Sequence, residues 1–218
     1  MAYIEQTEII KEYLNFLRNS DILTTTVRGV TTATQNFTST QTGSETFTLT
    51  NATTCKNIRS VTYDGTLLTY YTDYTINLDS GTVTLKSVIP TKTIAIVYDY
   101  GSDKIHSDYP RTDLTLASYP RIAFGIYGFN TTVAGFGNVL RSNWRFDIRV
   151  YSPTKKQTDE LIDTIRQKNI SAYVSLNCAN RIYPGSLRDL GMYDTEKGRN
   201  KIYVKGIDIM VINNYEIN

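Results

Sequence analysis

His106 is the only histidine in the chain, so a Ser-His-Asp or Cys-His arrangement would have to converge on that one residue, inside an Asp-rich stretch. No nucleophile stands with a base, and no catalytic residue is assigned. Asp99, Asp103, Asp108 and Asp113 follow one another closely, but they lack the alternate-position oxygens and the closing Glu of a calcium loop. They read as solvated turn residues. Asp159, Glu160 and Asp163 could pose as paired carboxylates, yet Asp159 and Glu160 diverge on a helix, and their place near its start explains them as charges complementing the helix dipole. Gly125, Gly128, Gly135 and Gly137 fit neither the dinucleotide nor the phosphate-loop pattern. Cys55 and Cys178 are far apart and outside any C-x-x-C spacing, so they read as buried free thiols rather than a metal knuckle or a disulfide framework. No metal and no cofactor is expected, and the chain is not read as an enzyme.

Charge narrows the partners. Lys plus Arg number 23 against 21 Asp plus Glu, a net charge of +2, which supplies no broad field for nucleic acid or an anionic membrane. Any such contact must be local. Arg188, Lys197, Arg199, Lys201 and Lys205, with Tyr193 and Tyr203 interleaved, form a basic stretch that could meet phosphate or an acidic partner, with plain polar surface as the alternative. The 17 tyrosines suit protein contact surfaces, although strand propensity also favours them. No apolar run approaches the roughly 20 residues that cross a bilayer. The first residues show no signal-peptide pattern, so the expectation is a soluble chain made in the cytoplasm, with no membrane partner.

The elements that must position these residues fall into three stretches. From Tyr3 to Arg18, Ile4, Ile9, Ile10, Tyr13, Leu14 and Leu17 recur at helical spacing opposite Glu5, Glu8, Lys11, Glu12 and Arg18, which predicts an amphipathic helix packed on a sheet. Residues 28–46 are rich in Thr, Ser, Gln and Gly and read as a linker or a weak edge strand. Phe47 and Leu49, Ile58 and Val61, Tyr74 and Ile76, Val83 and Leu85, then Ile94, Ile96 and Tyr98 follow in short alternating runs. Asp64-Gly65 and Asp79-Ser80-Gly81 supply hairpin turns, so this stretch reads as a small all-β sandwich.

Residues 101–117 read as a return linker containing the first of two Tyr-Pro-Arg copies. The second copy leads into a strand with Ile122, Phe124 and Ile126 on one side. A Gly-rich tip from Gly128 to Asn138 joins it to a strand that sets Trp144, Phe146, Ile148 and Val150 against Arg145, Asp147 and Arg149. Thr154 and Gln157 open a second helix, with Leu161, Ile162 and Ile165 inward, running to about Lys168. Ile202 and Val204, then Ile207, Ile209 and Val211, form a last strand whose parity changes at Gly206, which predicts a bulge there. The expected class is α+β. A core of residues 1–30 and 105–218 is interrupted by an immunoglobulin-like sandwich at residues 31–104.

The segments Tyr-Pro-Arg-Ile-Ala-Phe-Gly-Ile at 119–126, Trp-Arg-Phe-Asp-Ile-Arg-Val-Tyr at 144–151 and Thr-Lys-Lys-Gln-Thr-Asp-Glu-Leu-Ile-Asp-Thr-Ile at 154–165, behind a leading helix, resemble tail terminator or tail completion proteins of long-tailed phages. The run Ser-Val-Thr-Tyr-Asp-Gly at 60–65 and the strands after it resemble β-sandwich modules of phage structural proteins. The first resemblance implies a homo-oligomer, a hexameric ring in the virion neck that ends tail-tube polymerisation and docks to the head connector. Its partners would be the tail tube protein and neck proteins, with DNA passing through without specific binding. Phe129, Phe136, Arg141, Arg188, Arg199 and Lys201 are the interaction residues expected on this reading. Two rivals stand beside it: a head-tail connector or stopper, and a glycan- or receptor-binding module built on Tyr63, Tyr70, Tyr71 and Tyr74.

The strand around Ile148 carries the clearest energetic expectation. At about 1.5 to 3 kcal/mol for each buried side chain, its four apolar residues contribute about 6 to 12 kcal/mol before entropy. An Ile148→Asp variant is therefore expected to show no cooperative thermal transition by circular dichroism.

Overall fold

The computed structural model describes residues 6–107, 118–133, 139–172, 176–177, 181–194 and 201–216. In chain order these form α1 (Gln6–Asn19), α2 (Thr25–Arg28), β1 (Val30–Thr38), β2 (Gly43–Thr48), β3 (Cys55–Tyr63) and β4 (Thr66–Leu67). There follow β5 (Tyr74–Asn77), β6 (Thr82–Val88), β7 (Thr93–Gly101), β8 (Ile105–His106) and β9 (Arg121–Val133). The chain continues through β10 (Val139–Ser152), α3 (Lys155–Ser171), β11 (Arg181–Asp194) and β12 (Lys201–Glu216). The class is α+β, mostly strand, with three helices and antiparallel sheets. Among the described residues no helix is long and apolar enough to cross a membrane. Contacts divide the chain into two units, one of Leu23–Asp103 and one of Met1–Ile22 with Lys104–Asn218.

The Leu23–Asp103 unit holds two antiparallel sheets, ordered β1-β7-β3-β4 and β2-β6-β5. Every apolar residue of the alternating runs from Phe47 to Tyr98 named above is buried. The Phe37 and Phe47 rings, 5.2 Å apart, join a strand of one sheet to a strand of the other. Asp64 and Gly65, both at positive φ, make the two-residue turn between β3 and β4. Of the two readings of residues 28–46, the edge strand holds and the linker does not: β1 and β2 are edge strands in which threonines and short polar side chains alternate over a half-covered surface. Their low apolar content is what an edge tolerates.

Arg28 is fully buried. Its Nε donates to Asp103 at 2.8 Å and its Nη1 to Asp99 at 3.0 Å. Asp99 also accepts from Arg59 and Thr32, each at 2.7 Å, and from Asn57 at 3.3 Å. Asp99 and Asp103 are thus buried ion-pair partners, not solvated turn residues, while Asp108 and Asp113 lie outside the described residues. These buried charges persist because Arg28 meets both carboxylates and both oxygens of Asp99 have charged or hydrogen-bonding partners. Gly29 closes α2 at φ +72, and a Cβ there would stand 2.5 Å from Ser102 Oγ. The strand pairing of Val30 with Gly101 and the bond from Ser102 N to Gly29 O set the two ends of this unit side by side.

The second unit is a five-stranded sheet ordered β11-β12-β10-β9-β8, antiparallel except for the β8–β9 pair. β8 falls in the stretch read as a return linker, and the first Tyr-Pro-Arg copy lies outside the described residues. Trp144, Phe146, Ile148 and Val150 are all buried, as the alternation requires. Ile9, Tyr13, Leu14 and Leu17 of α1 are buried too, whereas Ile4 is outside the described residues. The Tyr13 ring stacks 5.3 Å from Phe146 and lies 5.5 Å from Phe124, placing α1 on this sheet face. Its hydroxyl donates to Asn169 Oδ1 of α3 at 2.7 Å, and burial pushes its pKa well above the tyrosine range. Thr154 caps α3 by accepting from Gln157 N at 3.3 Å, and the helix runs past Lys168 to Ser171.

Three strand expectations are corrected. Gly206 makes no bulge in the β10–β12 ladder, where pairing runs without a shift from Ile148 with Ile207 to Arg149 with Gly206. The apolar parity changes because β12 serves two cores: Ile207, Ile209 and Val211 turn to the helix side, while Ile202 and Val204 join Tyr119, Ala123 and Tyr151 on the other. The hairpin stays strand to Val133, past the expected tip at Gly128, and bulges near Tyr127. β11 was not expected at all, since Pro184, Gly185 and Gly191 interrupt any period. As an edge strand it tolerates the proline and carries two bulges, at residues 185–186 and 190–191.

Replacing Arg28 by Met removes one partner of a buried charge cluster and is expected to cost the Leu23–Asp103 unit about 3 to 5 kcal/mol in urea unfolding. Burial alone would raise the Asp99 carboxyl, but hydrogen bonds from Arg59 and Thr32, with the charges of Arg59 and Arg28, hold it below its ordinary value of 3.8. A depressed folded pKa gives stability that is present above the unfolded value and lost as pH falls through the folded one. Melts from pH 7 to about 3 should therefore show loss of stability starting near pH 4, and Asp99→Asn should be less stable at neutral pH and flatter in acid.

Candidate functional site

Strand parity sorts the side chains of the five-stranded sheet onto two faces. Even-numbered residues of β10 and odd-numbered residues of β12 turn toward α1 and α3; their neighbours turn the other way. On the face away from the helices, Asp147 of β10 is opposite Asp208 of β12, two carboxylates placed directly across from one another. Such a pair is held only if cations meet it. Arg188 of β11 donates to Asp147 at 2.5 Å and to Asp208 at 2.6 Å, and Arg149 donates to Asp147 at 2.7 Å. Asp147, on the face opposite Trp144, Phe146, Ile148 and Val150 as the alternation requires, is nearly fully buried and joins Arg149, Arg188 and Asp208 in a charge network across three strands.

The expected interaction residues separate between the faces. Arg141 is exposed on the network face, its Nε donating to Asn214 at 3.2 Å, and Arg188 belongs to the network itself. Phe129 sits on the opposite face, half exposed, with its ring 4.2 Å from Trp144. Lys201 is exposed at the start of β12, paired across the ladder with Asp194. Phe136 and Arg199 lie outside the described residues, as does Lys197. The basic stretch is therefore not one patch among the described residues: Lys205 turns to the helix side and binds Asp159, which raises its pKa, while Arg188 faces away.

The sheet has two different open edges. Among the described residues no strand pairs with the outer side of β11, or with the outer side of β9 beyond Ala123. These two strands carry Tyr127, Phe129, Val133, Leu187, Leu190 and Met192, six of the ten large exposed apolar side chains described. That concentration marks contact surface, because unpaired edges with apolar side chains are otherwise an aggregation hazard. Beside β11, two adjoining hollows of about 240 and 280 Å³ lie between α3 and the sheet, sharing Asp189 and Lys205. Thr158, Met192 and Val204 line one; Ile162, Leu187 and Gly206 line the other.

The described residues contain no group of three or more His, Cys, Asp or Glu placed to hold a metal ion. His106 is half-buried in β8, Cys55 is a buried free thiol, and Cys178 lies outside the described residues. Of the aromatic platform, Tyr70 and Tyr74 are buried, and Tyr71 lies beneath Lys86, whose Nζ is 4.9 Å from the ring centre. No protein-family model matches the chain, and a search of curated proteins returns no match.

Sequence reading missed the contacts that join Asp147, Arg188 and Asp208, since β11 was not recognised as a strand. The signal that could have found them is the Arg-x-x-x-Arg-x-Asp-x-Arg alternation of residues 141–149, which puts charge on every other position of one face. Asp147→Asn keeps the shape of this network and removes its central charge, leaving Arg149 and Arg188 with weakened acceptors. Both arginines are partly in water, so the expected cost is about 1 to 3 kcal/mol in urea unfolding, with Asp208→Asn costing less.

Proposed function

We propose that this chain is a structural protein of the virion neck. Its α+β unit closes a homo-oligomeric, hexameric ring that ends the tail tube and joins it to the head connector. The observation that carries this reading is the sheet with two unlike open edges, β11 on one side and the far half of β9 on the other, both studded with apolar side chains. Unlike surfaces at opposite edges give head-to-tail contacts, which close into a ring when the rotation between protomers permits. Tyr127, Phe129 and Val133 of one protomer meet Leu187, Leu190 and Met192 of the next. The hollows beside β11 leave room for an incoming apolar side chain. No bond is made or broken.

On the same reading the seven strands of the Leu23–Asp103 unit form an immunoglobulin-like sandwich. That module offers a separate surface to neck or sheath neighbours. The glycan-binding rival loses support from the burial of Tyr70 and Tyr74, since a sugar platform needs exposed ring faces.

Light scattering of the purified protein at high concentration, with electron microscopy, tests the ring. Closed rings are expected, and a Leu187→Asp, Met192→Asp double variant should run as a monomer with an unchanged melting temperature. Phage lacking the protein should carry tails of abnormal length. A strict monomer at every concentration, together with normal tails in its absence, overturns the proposal.

A further inference from the structure

The hollows between α3 and β11 are lined by carboxylates as well as by apolar side chains. In the one floored by Ile162 and Leu187, Asp159, Asp163 and Asp189 surround the ammonium of Lys205. Asp159 binds that ammonium and raises its pKa, and the charges of Asp189 and Asp163 add to the effect. Arg188 also lines this hollow but donates to Asp147 and Asp208 on the other face of the sheet. With Arg188 and the Lys205–Asp159 pair each neutralised, Asp163 and Asp189 are set against Lys155 alone, which lines the neighbouring hollow. Among the described residues no cation lies within ion-pair distance of Asp163 or Asp189. The socket beside β11 therefore has an apolar floor and an acidic rim.

The far half of β9 presents the converse. Tyr127, at the bulge, and Phe129 are both exposed, and between them Gly128 pairs with Arg145 of β10. A Cβ at Gly128 would stand 3.6 Å from Arg145 Cδ, so the absent side chain leaves room for the arginine stem to lie over this open strand. β9 carries no carboxylate. Asp147 and Asp208, on the face from which Arg145 comes, are taken up by Arg149 and Arg188. Glu216 stands opposite Val139, six residues beyond Met210, the β12 partner of Arg145. A hollow of about 150 Å³ takes a benzene ring. Those beside β11 hold about 240 and 280 Å³, so each admits one aromatic side chain. Two such rims would oppose arginine to arginine and two sockets carboxylate to carboxylate, so charge permits the pairing head to tail only. We infer that a second copy of this chain seats Tyr127 and Phe129 in the hollows beside β11, with its Arg145 against Asp163 and Asp189. This rests on the ring reading for the choice of edges and adds the charge pairing that gives the contact its direction.

Sedimentation velocity of two full-length variants, alone and mixed, tests the inference. Tyr127→Ser with Arg145→Ser disables the rim and leaves the socket, whereas Asp163→Lys with Asp189→Lys does the reverse. Each alone should associate at least about 10-fold more weakly than the native chain. Mixed in equal amounts they should form a one-to-one dimer and nothing larger, because each pair retains one intact rim and one intact socket. Thermal melts establish that both stay folded, and Asp163→Lys alone replaces the second variant if it does not. Native rings beside a mixture that stays monomeric, or variants that each assemble as the native chain does, overturn the inference and leave the ring. A mixture that pairs while the native chain grows open filaments sinks the ring and leaves this contact standing. A native chain that stays monomeric at every concentration overturns both.

Discussion

The α+β unit depends on one buried phenol. Tyr13 brings the first helix onto the sheet through Phe146 and Phe124, and its hydroxyl reaches Asn169 on α3, whose amide in turn donates to Ile165 O. Segments from the two ends of the chain are thereby fixed on one surface, although a separately packed unit intervenes. The ring stack supplies apolar area, and the hydroxyl finds the one partner that makes its burial tolerable. Without this point of convergence the N-terminal helix would be too short to hold its shape, because a helix of its length draws most of its stability from packing.

What the helices cover on one side, charge occupies on the other. β10 shows the division residue by residue: Trp144, Phe146, Ile148 and Val150 belong to the core, while Arg141, Arg145, Asp147 and Arg149 belong to the opposite surface. β12 follows the same rule at one end and breaks it at the other, where Ile202 and Val204 fill a small second core with Tyr119, Ala123 and Tyr151. A sheet with one apolar and one ionic face can be recognised on two sides by different chemistries. Its edges and its charged face are then separate surfaces rather than competing ones.

Elements governed by a single period were legible in the sequence. The α1 stripe, the Thr154 cap and the alternation around Ile148 state their partners in residue types and lie where the pattern puts them, although Glu12 and Arg18, read on the polar side of α1, are buried against Asn177 N and Ile105 O. The elements that escaped have several masters. β1 and β2, legible only as a linker or a weak edge strand, are edges where threonine replaces the apolar half of the pattern, and β11 is an edge broken by two bulges and a proline. β12 changes parity because it serves two cores, which along the chain is indistinguishable from a bulge. The charged network was hidden for a related reason: Asp147, Arg188 and Asp208 meet only through strand register, and no spacing in the chain brings them together. Asp99 and Asp103 looked like turn residues since nothing local announces that Arg28 comes back to meet them.

The two ends of the Leu23–Asp103 unit are fastened to one another by the Val30–Gly101 pairing, the Ser102–Gly29 bond and the Arg28 ion pairs. For the α+β unit this changes the statistics of the chain. A flexible excursion of that length would charge folding an entropic toll for bringing its ends together, rising with the logarithm of its length. Here the excursion performs that closure within itself, so the flanking helix and strand experience it as little more than a tight turn. Sequence could accumulate, shrink or be exchanged inside the clasp without lengthening the search by which α1 finds its sheet.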